Sequence, residues 1–186
     1  MDNFKYLGSI ISTDNNITLD IKSRISAGYK VFYTHMMLFK SRLLSRSNKV
    51  RLYKSLIRPV ATFGCESWSL KESDIRLLST FERKILRAVF GPIRNADGSY
   101  RIRMNHEIRN LLGDADIIGF IKSSRIRWLG HVHRAESRMI KYVINKRPQG
   151  DRTKGKPWLR WLDDVERDLA HLDHRNWKAA AVDRGK

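Results

Sequence analysis

One cysteine, four prolines and nineteen acidic residues among 186 mark what this chain is short of, and the scarcities exclude whole classes of protein. Cys65, being alone, closes no intramolecular disulfide and builds no thiolate zinc site, so the expected residence is intracellular, nuclear or cytoplasmic. No apolar run reaches the roughly 18 residues that a membrane helix needs, and no stretch reads as a signal peptide. No membrane partner is expected. The few acids face 37 lysines and arginines, which gives a formal net charge of +18 and a pI near 10.4. A surface this self-repelling is tolerated most easily beside a polyanion, and nucleic acid is the leading candidate. A hydrophobic content of 41% suffices for a real core in one domain or two small ones, so the chain is not a disordered tail.

The run Phe4-Lys5-Tyr6-Leu7-Gly8-Ser9-Ile10-Ile11 is aromatic and β-branched and reads as a strand. Gly8 would break it at a bulge or a close backbone approach, and residues 12–16 (Ser-Thr-Asp-Asn-Asn) supply turn chemistry. A strand edge with nothing before it is a liability, so the chain is expected to begin inside a larger domain. Helical spacing follows. Ile21, Ile25, Tyr29, Phe32, Met36, Phe39 and Leu43 predict one long helix over 18–44, capped by Thr18 with Asp20 in its first turn. This aromatic stripe is a core face and needs no cofactor to explain it. Ser47 or Asn48 can cap a second helix bearing Val50, Tyr53, Leu56 and Ile57, which Pro59 kinks or interrupts. Ser69 and Glu72 have the spacing of a capping box ahead of Ile75, Leu78, Phe81, Ile85 and Val89, a stripe that stops at Gly91-Pro92.

Residues 93–103 are polar around an Asn95-Ala96-Asp97-Gly98 turn, and the main internal boundary is expected there. A short helix over 106–112 capped by Asn105, a longer one started by Asp114 or Asp116, and a further turn or two over 139–144 come next. Residues 145–156 hold Pro148, Gly150, Gly155 and five basic residues, the composition of a flexible connector. Pro157 then sits where a helix starts, with Trp158, Trp161, Leu162, Val165, Leu169 and Leu172 on one face. A last segment covers 176–182.

Between Lys122 and Arg160 twelve lysines or arginines stand against two acids, Glu136 and Asp151, interleaved with Trp128, Tyr142 and Trp158. Guanidinium forks bind phosphates while neighbouring aromatics stack on bases or sugars, so this composition suits a nucleic-acid surface better than a merely solvated face. Arg125, Arg127, Trp128, His131, Arg134, Lys154, Lys156 and Arg160 are its candidate contacts. His131 and His133 are two apart, point to different sides of a helix and cannot easily share one metal ion. Asp163-Asp164 follows an aromatic residue as in a polymerase metal hairpin, but it lies in an amphipathic helix, where solvated acids or partners for arginine are expected. Cys65, flanked by Phe63 and Trp68, reads as an inert core thiol.

Four blocks in order resemble the carboxy-terminal part of reverse transcriptases from LINE-type (non-LTR) retrotransposons: residues 4–11; residues 52–68, running Leu52-Tyr53-Lys54-Ser55-Leu56-Ile57-Arg58-Pro59 to Trp68; the block Arg127-Trp128-Leu129-Gly130-His131-Val132-His133-Arg134; and residues 156–165. The resemblance implies a primer-grip hairpin at 1–17, carried by Phe4, Tyr6, Leu7 and Gly8. It further implies a thumb-like helical bundle at 18–92, in which Lys54 and Arg58 contact phosphates, then a basic helical connector at 93–144, a linker at 145–156 and amphipathic helices at 157–186. The implied fold is mostly α, with a short amino-terminal β-hairpin remnant of a palm. The implied partners are RNA and DNA as a template–primer duplex, with the palm and fingers of the parent polymerase, and no small-molecule substrate. The family's metal-binding aromatic-x-Asp-Asp precedes the primer grip, whereas Asp163-Asp164 comes after it. Magnesium is therefore expected only in the palm, no cofactor in this chain, and no catalysis by the chain alone. The competing expectation is a stand-alone basic helical module for protein interaction or dimerisation.

Overall fold

The computed structural model describes residues 3–13, 16–113, 116–146, 160–174 and 176–182. Among these the protein is mostly α-helical with two small antiparallel hairpins, in agreement with the expected fold class. The chain divides into two compact units, Met1–Gly64 with Glu72–Phe120 and Cys65–Lys71 with Ile121–Lys186.

The first unit opens with β1 (Asn3–Tyr6) and β2 (Ser9–Ser12), paired so that Phe4 faces Ile11 and Tyr6 faces Ser9. The apolar run is thus folded on itself, and Gly8 lies in the turn rather than in a bulge. Leu7 and Gly8 both have positive φ, 45° and 88°, which the two-residue turn matching strand twist requires. Helix α1 (Thr18–Thr34) packs beneath this hairpin. Thr18 is its first residue, not its cap: the Thr18 N–H donates to Asn16 Oδ1 (3.1 Å) and its hydroxyl to Asp74 Oδ1 (2.8 Å).

The expected single helix over 18–44 is two. At His35 the backbone leaves helical geometry (φ −98°, ψ 17°), and the ring Nδ1 lies 2.9 Å from the Val31 carbonyl, a side chain meeting the helical ladder where the kink occurs. Helix α2 (Met36–Lys40) turns Phe39 into the core and stops at extended Ser41, leaving Leu43 96% exposed.

Helix α3 (Arg46–Leu52) is capped by Ser45, whose Oγ accepts from Asn48 N–H at 3.2 Å, a few residues earlier than Ser47 or Asn48 would place it. A π-helical turn over Tyr53–Ile57 leads into α4 (Arg58–Ala61). Pro59 has no N–H to give and its ring crowds the carbonyl four residues back, so the widened turn before it is the relief of that conflict.

Helix α5 (Glu72–Phe90) begins at Glu72 itself, so Ser69 does not cap it. Leu78, Phe81, Ile85 and Val89 are buried as their spacing predicts, and Gly91 (φ 69°) ends the helix with its N–H on the Arg87 carbonyl, 2.9 Å. The closest approach of α1 to its neighbours is at Gly28. A Cβ there would stand 2.7 Å from Phe81 Cζ and 3.2 Å from Ala61 Cβ.

The polar stretch forms β3 (Ile93–Arg94) and β4 (Tyr100–Arg101) around the expected turn, with Asp97 accepting from Ser99 N–H at 2.9 Å. Helix α6 (Asn105–Leu112) starts at Asn105 rather than being capped by it. The Glu107 carboxylate closes that end instead, accepting from Met104 N–H (2.7 Å) and from both arms of the Arg101 fork (2.6 and 2.9 Å). This fork holds the Glu107 carboxyl well below the usual range, at about 2.

Helix α7 (Ile117–Arg134) is capped by Asp116, whose Oδ1 accepts from Gly119 N–H at 2.9 Å; Asp114 lies outside the described residues. In the first unit, buried Glu82 accepts from the Tyr53 hydroxyl (2.7 Å) and from Ile117 N–H (2.9 Å). Burial pushes the Glu82 carboxyl up, and burial followed by the Glu82 charge pushes the Tyr53 phenol up.

In the second unit, Leu129 of α7 packs with Val165 and Leu169 of α9 (Trp161–His171), and Ile126, Trp161, Leu162 and Trp177 close around them. The Trp161 indole N–H donates to the Glu66 carbonyl at 2.6 Å. Arg160 is extended (φ −72°, ψ 160°) and this helix starts at Trp161; the expected start at Pro157 lies outside the described residues, as does the connector over 147–156. Helix α8 (Arg138–Asn145) is capped by Ser137, and α10 (Trp177–Val182) covers the last expected segment.

Candidate nucleic-acid interface

The block Arg127-Trp128-Leu129-Gly130-His131-Val132-His133-Arg134 falls on the last two turns of α7, and its alternation follows from helical geometry. Leu129 and Val132 are buried, while Arg127, Trp128, His131 and Arg134 are exposed and lie at the three- and four-residue spacings of one face. Trp128, 40% exposed, stacks on His131 with ring centroids 5.2 Å apart and planes 29° from parallel. Arg134 reaches back along the helix: its Nη1 donates to the Ala181 carbonyl at 2.7 Å and would lie 3.3 Å from a Cβ at position 130. Gly130 is thus the residue over which the Arg134 guanidinium lies. Arg127 makes no ion pair among the described residues.

The two histidines do face different partners. His133 meets the Trp177 ring edge-on at 5.2 Å, on a different side from the Trp128–His131 stack. Among the described residues no three of His, Cys, Asp and Glu converge to hold a metal ion.

Arg125 does not share the exposed face. It lies two residues from Arg127 and is turned through more than half a circle around the helix. Its side chain is 1% exposed, with Nη2 2.5 Å from Asp164 and Nη1 3.8 Å from Asp168. Lys122, one turn earlier, adds an ion pair to Asp168 at 2.7 Å. The Asp163-Asp164 pair is therefore a partner for cations, Asp163 taking Arg160 at 3.2 Å. Arg160 is half-buried and engaged by Asp163, and Lys154 and Lys156 lie outside the described residues.

In the first unit the hairpin presents its apolar side chains to solvent: Phe4, Tyr6 and Leu7 are all more than half exposed, and Phe4 and Tyr6 stack at 6.3 Å. Asp20, read from the sequence only as a first-turn acid, and Arg24, which the sequence reading does not single out, anchor it. Asp20 accepts Ile10 N–H at 2.9 Å and Arg24 donates to Ser9 Oγ at 3.1 Å. Their spacing of four, acid then base, was the available signal. Lys54 is half-buried on the π-helical turn, and the Arg58 guanidinium rests 4.3 Å above the Phe120 ring. Arg58 is accordingly held by a cation–π contact instead of standing free on the surface. Cys65 is buried, as its reading as a core thiol expects, and burial pushes that thiol up to about 12, so the thiolate is negligible at neutral pH; its neighbour Phe63 is exposed, with the Arg24 guanidinium 4.5 Å from its ring.

With this geometry in place, comparison with known proteins gives two relatives. The chain is 25% identical over 195 aligned positions to an uncharacterized transposon-derived protein of Caenorhabditis elegans, covering 99% of the chain and 68% of the relative. It is 32% identical over 91 residues to a probable RNA-directed DNA polymerase from transposon X-element of Drosophila melanogaster, covering 47% of the chain and 10% of that polymerase. The chain is similar to transposon-derived proteins. It spans about two thirds of one relative and a tenth of the other. No protein-family model and no solved structure matches it. Among the described residues no helix is long and apolar enough to cross a membrane.

Proposed function

We propose that the chain is the post-palm portion of a LINE-type retrotransposon RNA-directed DNA polymerase, comprising primer grip, thumb and connector, and that it grips an RNA–DNA template–primer duplex by its phosphates. Nucleotide addition falls to palm carboxylates and their magnesium, and this chain binds without catalysing. The observation that carries the reading is the exposed Arg127–His131–Arg134 stripe of α7, in a chain of net charge +18. Support comes from the similarity to a transposon polymerase and from the amino-terminal hairpin, whose exposed Phe4, Tyr6 and Leu7 suit a primer-grip element. Gly8 makes that turn possible, Lys54 serves as a phosphate contact of the thumb, and Arg58 braces the same segment.

The test is the affinity of the chain for an RNA–DNA hybrid, compared with an Arg127→Ala/Arg134→Ala variant. The reading expects measurable hybrid binding that the double substitution weakens, with helicity unchanged; a wild-type chain that ignores the hybrid at low salt overturns it. One observation favours a second reading, a protein-interaction module. Helix α8 leaves Met139, Ile140, Tyr142 and Val143 exposed together. Concentration-dependent self-association without nucleic-acid binding would support that reading.

A further inference from the structure

Resting on the nucleic-acid reading just given, we infer that the Trp128–His131 stack is a platform for an unpaired nucleotide, so that α7 takes single-stranded RNA or DNA in preference to a blunt duplex. The chemistry of the two partners decides this. A duplex keeps its base faces stacked on one another and offers a protein its phosphates, sugars and groove edges. For such a partner arginines are enough, and an indole has little to meet. An unpaired base offers a π-face that an aromatic ring can cover, with a phosphate on either side of it.

Helix α7 presents that combination. The indole is two-fifths exposed although Leu129 and Val132 show that the same two turns have a buried side available. The imidazole of His131 lies against it with planes 29° apart, which extends the flat surface along the helix. Cations stand at both ends: Arg127 precedes the stack without an ion-pair partner among the described residues, and Arg134 follows it, its guanidinium laid over Gly130 and fixed by the Ala181 carbonyl. The spacing puts a base-sized aromatic surface between two phosphate-sized cationic groups on one helix face.

The experiment uses the full chain at one moderate salt concentration, with four probes of the same length: a single strand, an abasic strand with the same phosphates, a blunt RNA–DNA hybrid, and the hybrid with an unpaired overhang. The wild-type chain is expected to bind the single strand and the overhang more tightly than the blunt hybrid, and to lose about fivefold to 150-fold on the abasic strand, the range that one stacked base supplies. Trp128→Ala should lose a similar factor on the single strand and less than about twofold on the blunt hybrid. Trp128→Phe should retain most of the preference. Equal affinity for normal and abasic strands overturns the platform without any substitution. An equal loss on single strand and hybrid in a folded Trp128→Ala variant also overturns it, and hybrid binding would then leave the broader reading standing. Failure of the wild-type chain to bind any of the four overturns both.

Discussion

Arg125 and Arg127 are two residues apart and have opposite fates, because a two-residue step carries a side chain to the far side of a helix. Arg125 is buried against Asp164 and Asp168, so Arg125→Ala would leave Asp164 partly desolvated without its cation and Asp168 with Lys122 alone, a loss of up to about 3–5 kcal/mol by the behaviour of broken buried pairs. Arg127→Ala touches an exposed group and should change stability by no more than about 0.5 kcal/mol while weakening nucleic-acid binding. Thermal unfolding of the two variants beside their hybrid affinities checks the contrast. Composition alone put both arginines in one basic surface; only the phase of the helix against its buried Leu129 and Val132 separates them, and the twelve cations of this segment are too dense for charge to reveal that phase. Glu82 offers a second prediction. Burial holds its folded carboxyl above the ordinary range, so the folded chain keeps a proton that the unfolded chain releases near pH 4.3. The stabilising effect of that proton is full below about pH 4.3 and is lost as pH rises through the elevated folded value. Glu82→Gln keeps an acceptor for the Tyr53 hydroxyl and Ile117 N–H and carries no charge, so its unfolding midpoint in urea should fall less between mildly acidic and neutral pH than that of the wild type. Parallel pH profiles for the two proteins would contradict the assignment.

At the scale of elements, the α1–α4–α5 contact depends on a missing side chain. Gly28→Ala must push Phe81 or the helices apart, since its Cβ would stand 2.7 Å from Phe81 Cζ, and overpacking of this kind costs about 1–3 kcal/mol. A lowered midpoint in urea at unchanged slope is the expected result. Apolar periodicity made α5 legible, because Leu78, Phe81, Ile85 and Val89 all face one way and Gly91 ends the run. The same reading ran α1 through to residue 44, since the stripe continues past His35; what stops the helix is a ring nitrogen beside the Val31 carbonyl, which periodicity does not register. Caps were misplaced for a related reason. Ser45 and Glu107 win over Ser47, Asn48 and Asn105 by reaching the right N–H, and a sequence rich in Ser and Asn offers several candidates within one turn. The hairpin turn at Leu7-Gly8 was hidden because Leu rarely takes positive φ, so Gly8 alone looked like a bulge.

For the whole molecule, the candidate interface was partly readable and partly not. The block carrying Arg127, Trp128, His131 and Arg134 falls on one exposed face of α7, where residue types that suit phosphates and bases stand at helical spacing. Charge draws Arg125 and Arg160 into the same set, and the resemblance makes Arg58 a thumb contact, although their partners Asp164, Asp163 and Phe120 are fixed only by the fold. On the proposed function, the net charge of +18 is displayed toward phosphates. The most direct test is the affinity for an RNA–DNA hybrid measured across a series of salt concentrations. Displaced counterions should make log K fall linearly with log salt, with a contribution of about −0.9 per phosphate contact on the scale set by B-DNA and a slope of several units overall. Arg127→Ala should make that slope shallower by about one. An affinity that does not change with salt, or a slope indifferent to Arg127, would mean that the cations of this chain do not meet phosphates.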